Sequence, residues 1–176
     1  MIKDVKQIKD SAVKQQAEFI LNRMLSAPKA KGSDDLLLFV ADGEDIEKLA
    51  LWMEDFGKKN NRQGFIRDAS NIRNSVSVIL LGAKKMTMQL NCGMCGKTSC
   101  SDAERDDVNC VFPLMDLGIA AGSGVSLCQE FGIDNRIMYT VGLAAVKLGL
   151  FKDNNIRAAL GIPLQISSKN IFFDRK

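Results

Sequence analysis

Two short apolar runs do most to limit what this chain can fold into. Leu36 to Ala41 reads LLLFVA and Ser75 to Leu81 reads SVSVILL. Both are β-rich, short and apolar without strict alternation, as suits strands covered on both faces. Around them the apolar residues take helical spacing. Val13, Ala17, Ile20, Leu21 and Met24 form one stripe and predict a helix from Asp10 or Ser11 to Leu25, closed by Pro28. Ile46, Leu49, Ala50, Met53 and Phe56 predict a second over Asp45 to Phe56, stopped by Gly57, with GKKNNRQG (Gly57 to Gly64) as a solvated loop. A third helix is expected from Leu114 to Phe131, a fourth from Tyr139 to Leu150, and a third strand around Ala158 to Ile166. Helices alternating with strands give an α/β or α+β class with a mixed sheet.

The chain has 176 residues and neither a repeat nor a low-complexity linker. It is therefore expected to be one domain over 1–176, with a cysteine-rich metal loop at 90–111. Lys and Arg are scattered rather than striped, and the net charge is only +3, which argues against a nucleic-acid partner. The longest uncharged run, Leu117 to Gln129, has 13 residues, short for a bilayer, so no membrane partner is expected. The polar start, MIKDVKQIKDSAVKQQ, lacks the apolar stretch of a secretory signal. A cytoplasmic setting follows, in which thiols stay reduced, and the odd count of five cysteines also disfavours a disulfide framework.

Within NCGMCGKTSC, Asn91 to Cys100, three cysteines fall in nine residues, and a fourth follows at 110. The spacing across Cys92, Cys95, Cys100 and Cys110 is C-x2-C-x4-C-x9-C. Thiolates are soft, strongly donating ligands that suit iron–sulfur clusters and zinc. A two-residue gap lets two sulfurs converge on one centre, and Gly93 and Gly96 remove side chains that would obstruct the turn. Structural zinc sites more often carry two C-x2-C pairs, so the order of preference is an iron–sulfur cluster, zinc, then a metal-free thiol redox site. With no histidine in the chain, imidazole ligands and Ser-His or Cys-His catalysis are excluded. Cys128, on the helix rich in small residues, reads as a buried structural thiol. Gly118, Ala121, Gly122, Ser123 and Gly124 on that helix suggest close packing against another backbone, including a partner subunit.

Three other features have both a functional and a bland reading. Lys29, Lys31 and Gly32 could form an anion pocket for a flavin or nucleotide phosphate, or be surface residues. The acidic run Asp102, Glu104, Asp106 and Asp107 could tune a metal centre, or form a solvated loop. Phe172 and Phe173, in the tail SSKNIFFDRK, are expected to dock on the core or across a dimer.

The run CGMCGKTSC, followed by CVFPLMDLGIAAGSGVSL, resembles a family of uncharacterised prokaryotic proteins with a ferredoxin-type domain. GIPLQISSKNIFFDR and APKAKGSDDL continue the likeness. The resemblance implies a 4Fe–4S cluster with Cys92, Cys95, Cys100 and Cys110 as ligands. A second likeness concerns the scaffold: ILNRMLSAPKAKGSDDLLLFVADGEDIEKL, DLGIAAGSGVSLCQEFGI and LGIPLQI are similar to FMN-dependent nitroreductases. It implies a three-layer α+β fold, with a mixed sheet flanked by helices, and pairing as a homodimer. The arginine-rich flavin-phosphate motif of those enzymes is absent from VKQIKDSAVKQQ. The function expected is electron transfer through the cluster, with no acid–base residue and a redox partner not specified by the sequence. Two alternatives stand beside it: a reductase whose cluster feeds bound FMN, and a zinc-stapled non-redox module.

Overall fold

The computed structural model of the chain describes residues 2–173. Its elements in order are α1 (Val5–Leu25), β1 (Leu36–Ala41), α2 (Glu44–Lys59), α3 (Gln63–Arg73), β2 (Ser77–Lys84), α4 (Cys100–Arg105), α5 (Val111–Glu130), β3 (Asp134–Asn135), α6 (Tyr139–Lys147) and β4 (Ile156–Gln165). The four strands form one sheet in the order β1-β2-β4-β3. Every strand pair is antiparallel, so the expected mixed sheet is corrected to an antiparallel one within the α+β class.

β2 lies at the centre because its residues can be covered from both sides. From Ser77 to Ala83 every residue is buried. Successive side chains point to opposite faces of a strand. Ile79, Leu81 and Ala83 join Ile162 and Leu164 of β4 under α1 and α5, while Val78 and Leu80 meet α2, α3 and α6. β1 is different. It is an edge strand with only Leu36 and Ala41 buried, so its uniform apolar run did not mean coverage on both faces.

Local chemistry explains where the helices depart from the periodicity. α1 starts about one and a half turns early because Asp4 and Gln7 form a capping box: Asp4 accepts the Lys6 N–H and its own N–H donates to the Gln7 side chain. Those first turns are exposed and leave no apolar stripe to read. Gly57 does not stop α2. It lies inside the helix, with no room for a Cβ beside Ile66 and Phe65 of α3. Of the expected loop, α2 takes Gly57 to Lys59 and α3 takes Gln63 and Gly64. On α6, Gly142 lets the helix backbone rest on the Ala159 carbonyl of β4.

α5 is long and apolar enough to cross a membrane by length and composition. Asp116 interrupts this helix's uncharged run, which is why Leu117 to Gln129 is shorter than the helix itself. That carboxylate is buried and accepts the Ala30 N–H at 3.1 and 3.2 Å. The same helix buries Leu117, Ala120, Ala121, Gly124 and Cys128 against α1 and the sheet. Phe172 docks on the core at 1% exposure, whereas Phe173 is exposed with the Arg136 guanidinium 5.2 Å from its ring centre. The last three residues of the tail, 174–176, lie outside the described residues.

Candidate metal centre

The chain leaves β2 at Lys84 and has no regular element until α4. What shapes this segment is a set of directional bonds. Asn91, in a left-handed conformation (φ 47°), clamps the two ends of the cysteine run. Its side-chain oxygen accepts the Cys100 N–H at 2.8 Å, and its own N–H donates to Cys100 Sγ at 3.3 Å. Between them the chain turns at Gly93 (φ 74°) and Gly96 (φ 80°), where the Gly96 N–H donates to the Gly93 carbonyl at 2.9 Å. Both glycines sit in the region other residues rarely adopt. Ser99 then caps α4, accepting the Asp102 N–H at 3.1 Å.

These constraints bring Cys92, Cys95, Cys100 and Cys110 onto the walls of one narrow cleft, together with Asn91, Thr87, Lys97 and Ala103. Cys100 is buried at the first residue of α4, Cys95 and Cys110 are half-buried, and Cys92 is exposed. Cys110 is also the N-cap of α5, whose positive dipole end adds favourable charge for anionic sulfur. Among the described residues, no three Cys, Asp or Glu side chains stand close enough to hold one ion together. Cys128 cannot join the four clustered cysteines: eighteen residues further along α5, it lies about 27 Å away. It is fully buried, and burial pushes its thiol up to about 12.

The acidic run is a set of struts. Thr87 Oγ1 and Gln89 Nε2 both donate to Glu104 Oε1, at 2.6 and 2.7 Å. Asp106 takes Arg105 and Lys97, and Asp107 takes Lys85 and Arg157. The bonds from Ser99, Arg105 and Lys85 hold the Asp102, Asp106 and Asp107 carboxyls, respectively, below the usual carboxylate range. Glu104, Asp106 and Asp107 are exposed, so the run is solvated as well as braced by these bonds.

A family model described as "Uncharacterized protein containing a ferredoxin domain (DUF2148)" matches residues 106–175. An uncharacterised protein of Archaeoglobus fulgidus is 39% identical over 184 residues, covering 99% of this chain and 98% of that one. The chain belongs to this ferredoxin-domain family. Of the four clustered cysteines, the stretch matched by the family model contains Cys110 alone. Solved structures share the nitroreductase fold. A putative nitroreductase from Desulfovibrio desulfuricans, in complex with FMN, is 11% identical with a TM-score of 0.60, covering 93% of this chain and 79% of that one. The FMN-dependent nitroreductase NfnB from Mycobacterium smegmatis, in complex with NADPH, is 13% identical at 0.60, with coverage of 92% and 82%. Nitroreductase A from Vibrio parahaemolyticus is 16% identical at 0.56, and this chain spans 60% of its length.

In this ferredoxin-domain chain the lysines before β1 serve the fold. Lys29 Nζ donates to the carbonyls of Met24, Leu25 and Ala27, closing the end of α1, and Lys31 Nζ reaches the Met88 carbonyl at 3.4 Å. Gly32 (φ 64°) turns the chain, with open space where a Cβ would stand. Lys29 and Gly32 line one open pocket with Pro28, Ser33 and Asp34, and Lys31 is not among its lining residues. Sequence reading missed a larger cavity beside the cysteine cleft, lined by Lys84, Lys85, Arg157 and the first turn of α5. Its residues come from four separate segments, and no local motif marks it.

Proposed function

We propose that this protein transfers single electrons through a 4Fe–4S cluster held by Cys92, Cys95, Cys100 and Cys110. The observation that carries the reading is that the four clustered thiols line one cleft while the fifth lies in the core. Membership of a family described by its ferredoxin domain supports the same reading. When bound, such a cluster supplies reversible one-electron chemistry at a potential set by its hydrogen bonds and exposure. The chain's own contribution is positional. Asn91 clamps Cys100 by backbone and side chain, Gly93 and Gly96 turn the loop, and Lys97 adds a positive charge to the cleft. No side chain is assigned an acid–base role.

Protein purified without oxygen should be brown, with roughly four iron and four sulfide per chain. Serine at 92, 95, 100 or 110 should strip most of the iron, and Cys128→Ser should not. Zinc in place of iron and sulfide, or full iron in Cys95→Ser, would overturn the assignment.

A second reading, a reductase in which the cluster feeds FMN, is favoured by the fold shared with FMN-bound nitroreductases. A flavin assay on the same sample separates the two. We further propose that the chain works in the cytoplasm as a homodimer. Gly118 and Gly122 have nothing near them on α5, and Met115 and Ile119 beside them are exposed. A monomer at micromolar concentration by sedimentation would sink that part.

A further inference from the structure

The cavity beside the cysteine cleft holds about 440 Å³, within the roughly 300–1,000 Å³ of small-molecule sites. It shares Thr87 and Cys110 with the cleft, so its occupant would lie against one of the clustered cysteines. Its chemistry is graded from end to end. Next to the cleft stands Glu104, bonded to Thr87. Apolar walls come from Met86, Val108, Pro113 and Leu114. On the side of β2 and β4 stand three cations, Lys84, Lys85 and Arg157.

Asp107 orients two of those cations without lining the cavity. Its carboxylate meets the Lys85 ammonium, and the Arg157 Nη1 at 3.4 Å, while its carbonyl accepts Arg157 Nη2 at 2.8 Å. Arg157 Nε donates to Asn109. A guanidinium has five N–H donors and an ammonium three, so both keep donors for a ligand. Preoriented Arg and Lys donors suit carboxylate and phosphate oxygens. Glu104 at the other end repels a second negative charge and so sets the direction in which a ligand enters.

We propose that this cavity binds a small organic anion, a carboxylate or phosphate ester on an apolar body. Its charged head lies at Lys85 and Arg157, and its body runs along Met86, Pro113 and Leu114 to Cys110. The binding claim stands by itself. Its bearing on electron transfer rests on the reading above, because it seats a molecule beside a proposed cluster ligand.

The test is calorimetric titration of the purified full chain at fixed ionic strength, with iron and sulfide measured on the same sample. The probes are benzoate, phenyl phosphate and neutral benzyl alcohol. At least one anion should bind saturably, about tenfold or more tighter than the alcohol. Whichever anion binds better identifies the head group. Leu114→Trp, which fills the cavity, should abolish binding, and Arg157→Gln should weaken it about tenfold. Because Arg157 also braces the loop through Asn109, Lys84→Gln is the cleaner variant. Its ammonium stands 3.8 Å from Asp153, and its removal should weaken anions a few-fold and leave the alcohol unchanged. Absence of saturable anion binding, equal affinity for the alcohol, or full affinity in Leu114→Trp overturns the proposal. Iron-free protein that still binds the anion sinks the cluster reading alone. Iron-loaded protein that binds neither anion sinks this one alone.

Discussion

β2 and the loop that leaves it are neighbours in sequence held by opposite means. β2 is buried from Ser77 to Ala83 and covered by helices on both faces. Its stability is a sum of many non-directional contacts, each small. The loop from 85 to 110 buries only Thr87, Met88, Cys100 and Ala103 and otherwise depends on a few directional bonds: the Asn91 clamp, the Ser99 cap and the carboxylate struts. A region held by area fails only when the whole domain fails. A region held by a few directional bonds can open alone, under chemical conditions that leave the rest intact.

The largest effect should come from the scaffold. Leu81→Ala, at a fully buried site, should cost about 2–5 kcal/mol, read as a shift in the urea midpoint. A cost well under 1 kcal/mol would break the claim that burial holds this half. Removing the proposed cluster is the converse experiment. Amides of the loop should exchange about 100-fold faster or more, while those of β2 keep their protection. Equal protection with and without metal would mean the polar struts order the loop unaided.

Two glycines two residues apart on α5 sharpen the contrast within the scaffold. Gly124 has no space for a Cβ against Met24, while Gly122 faces open space. Gly124→Ala should therefore cost about 1–3 kcal/mol. Gly122→Ala should stabilise a lone chain by up to about 1 kcal/mol, but it should weaken the proposed homodimer, in which a partner backbone packs there; an unweakened dimer in sedimentation breaks that proposal. Ser99→Ala should cost about 1 kcal/mol, confined to loop amides in hydrogen exchange and absent from the global midpoint.

The smallest effect is acid loosening. The Lys85 bond to Asp107 and the Arg105 bond to Asp106 hold both carboxyls below their usual range when folded. The stabilisation they give is present above the ordinary carboxylate value, about 4, and is lost as pH falls through the lower folded values. The struts should weaken below about pH 4, and loop exchange should rise before β2 responds. Glu54 on α2 is lowered in the same sense by Arg73. It tethers α3 from the surface, over a core of Phe65, Ala69 and Ile72 that does not titrate. An acid transition that begins in α2 and α3 would contradict the ranking.

Period and composition alone determined a good deal: β1, the core of β2, the bodies of α1, α2 and α5, the cysteine cluster, and the inert character of Cys128. Each is written in residues a few positions apart. α3 was also within reach, since Phe65, Ala69 and Ile72 fall at helical spacing, but the polar stretch before it masked the start. α4 has six residues, too few to show a period. Only the tertiary structure decided that β2 is the centre and β1 an edge, that all strands run antiparallel, and that Lys85 and Arg157 meet at Asp107. It also decided that Lys29 closes the end of α1. These outcomes depend on which distant segment arrives as a neighbour. Local periodicity carries the demand for burial or a charged partner, but the segment that meets that demand lies tens of residues away.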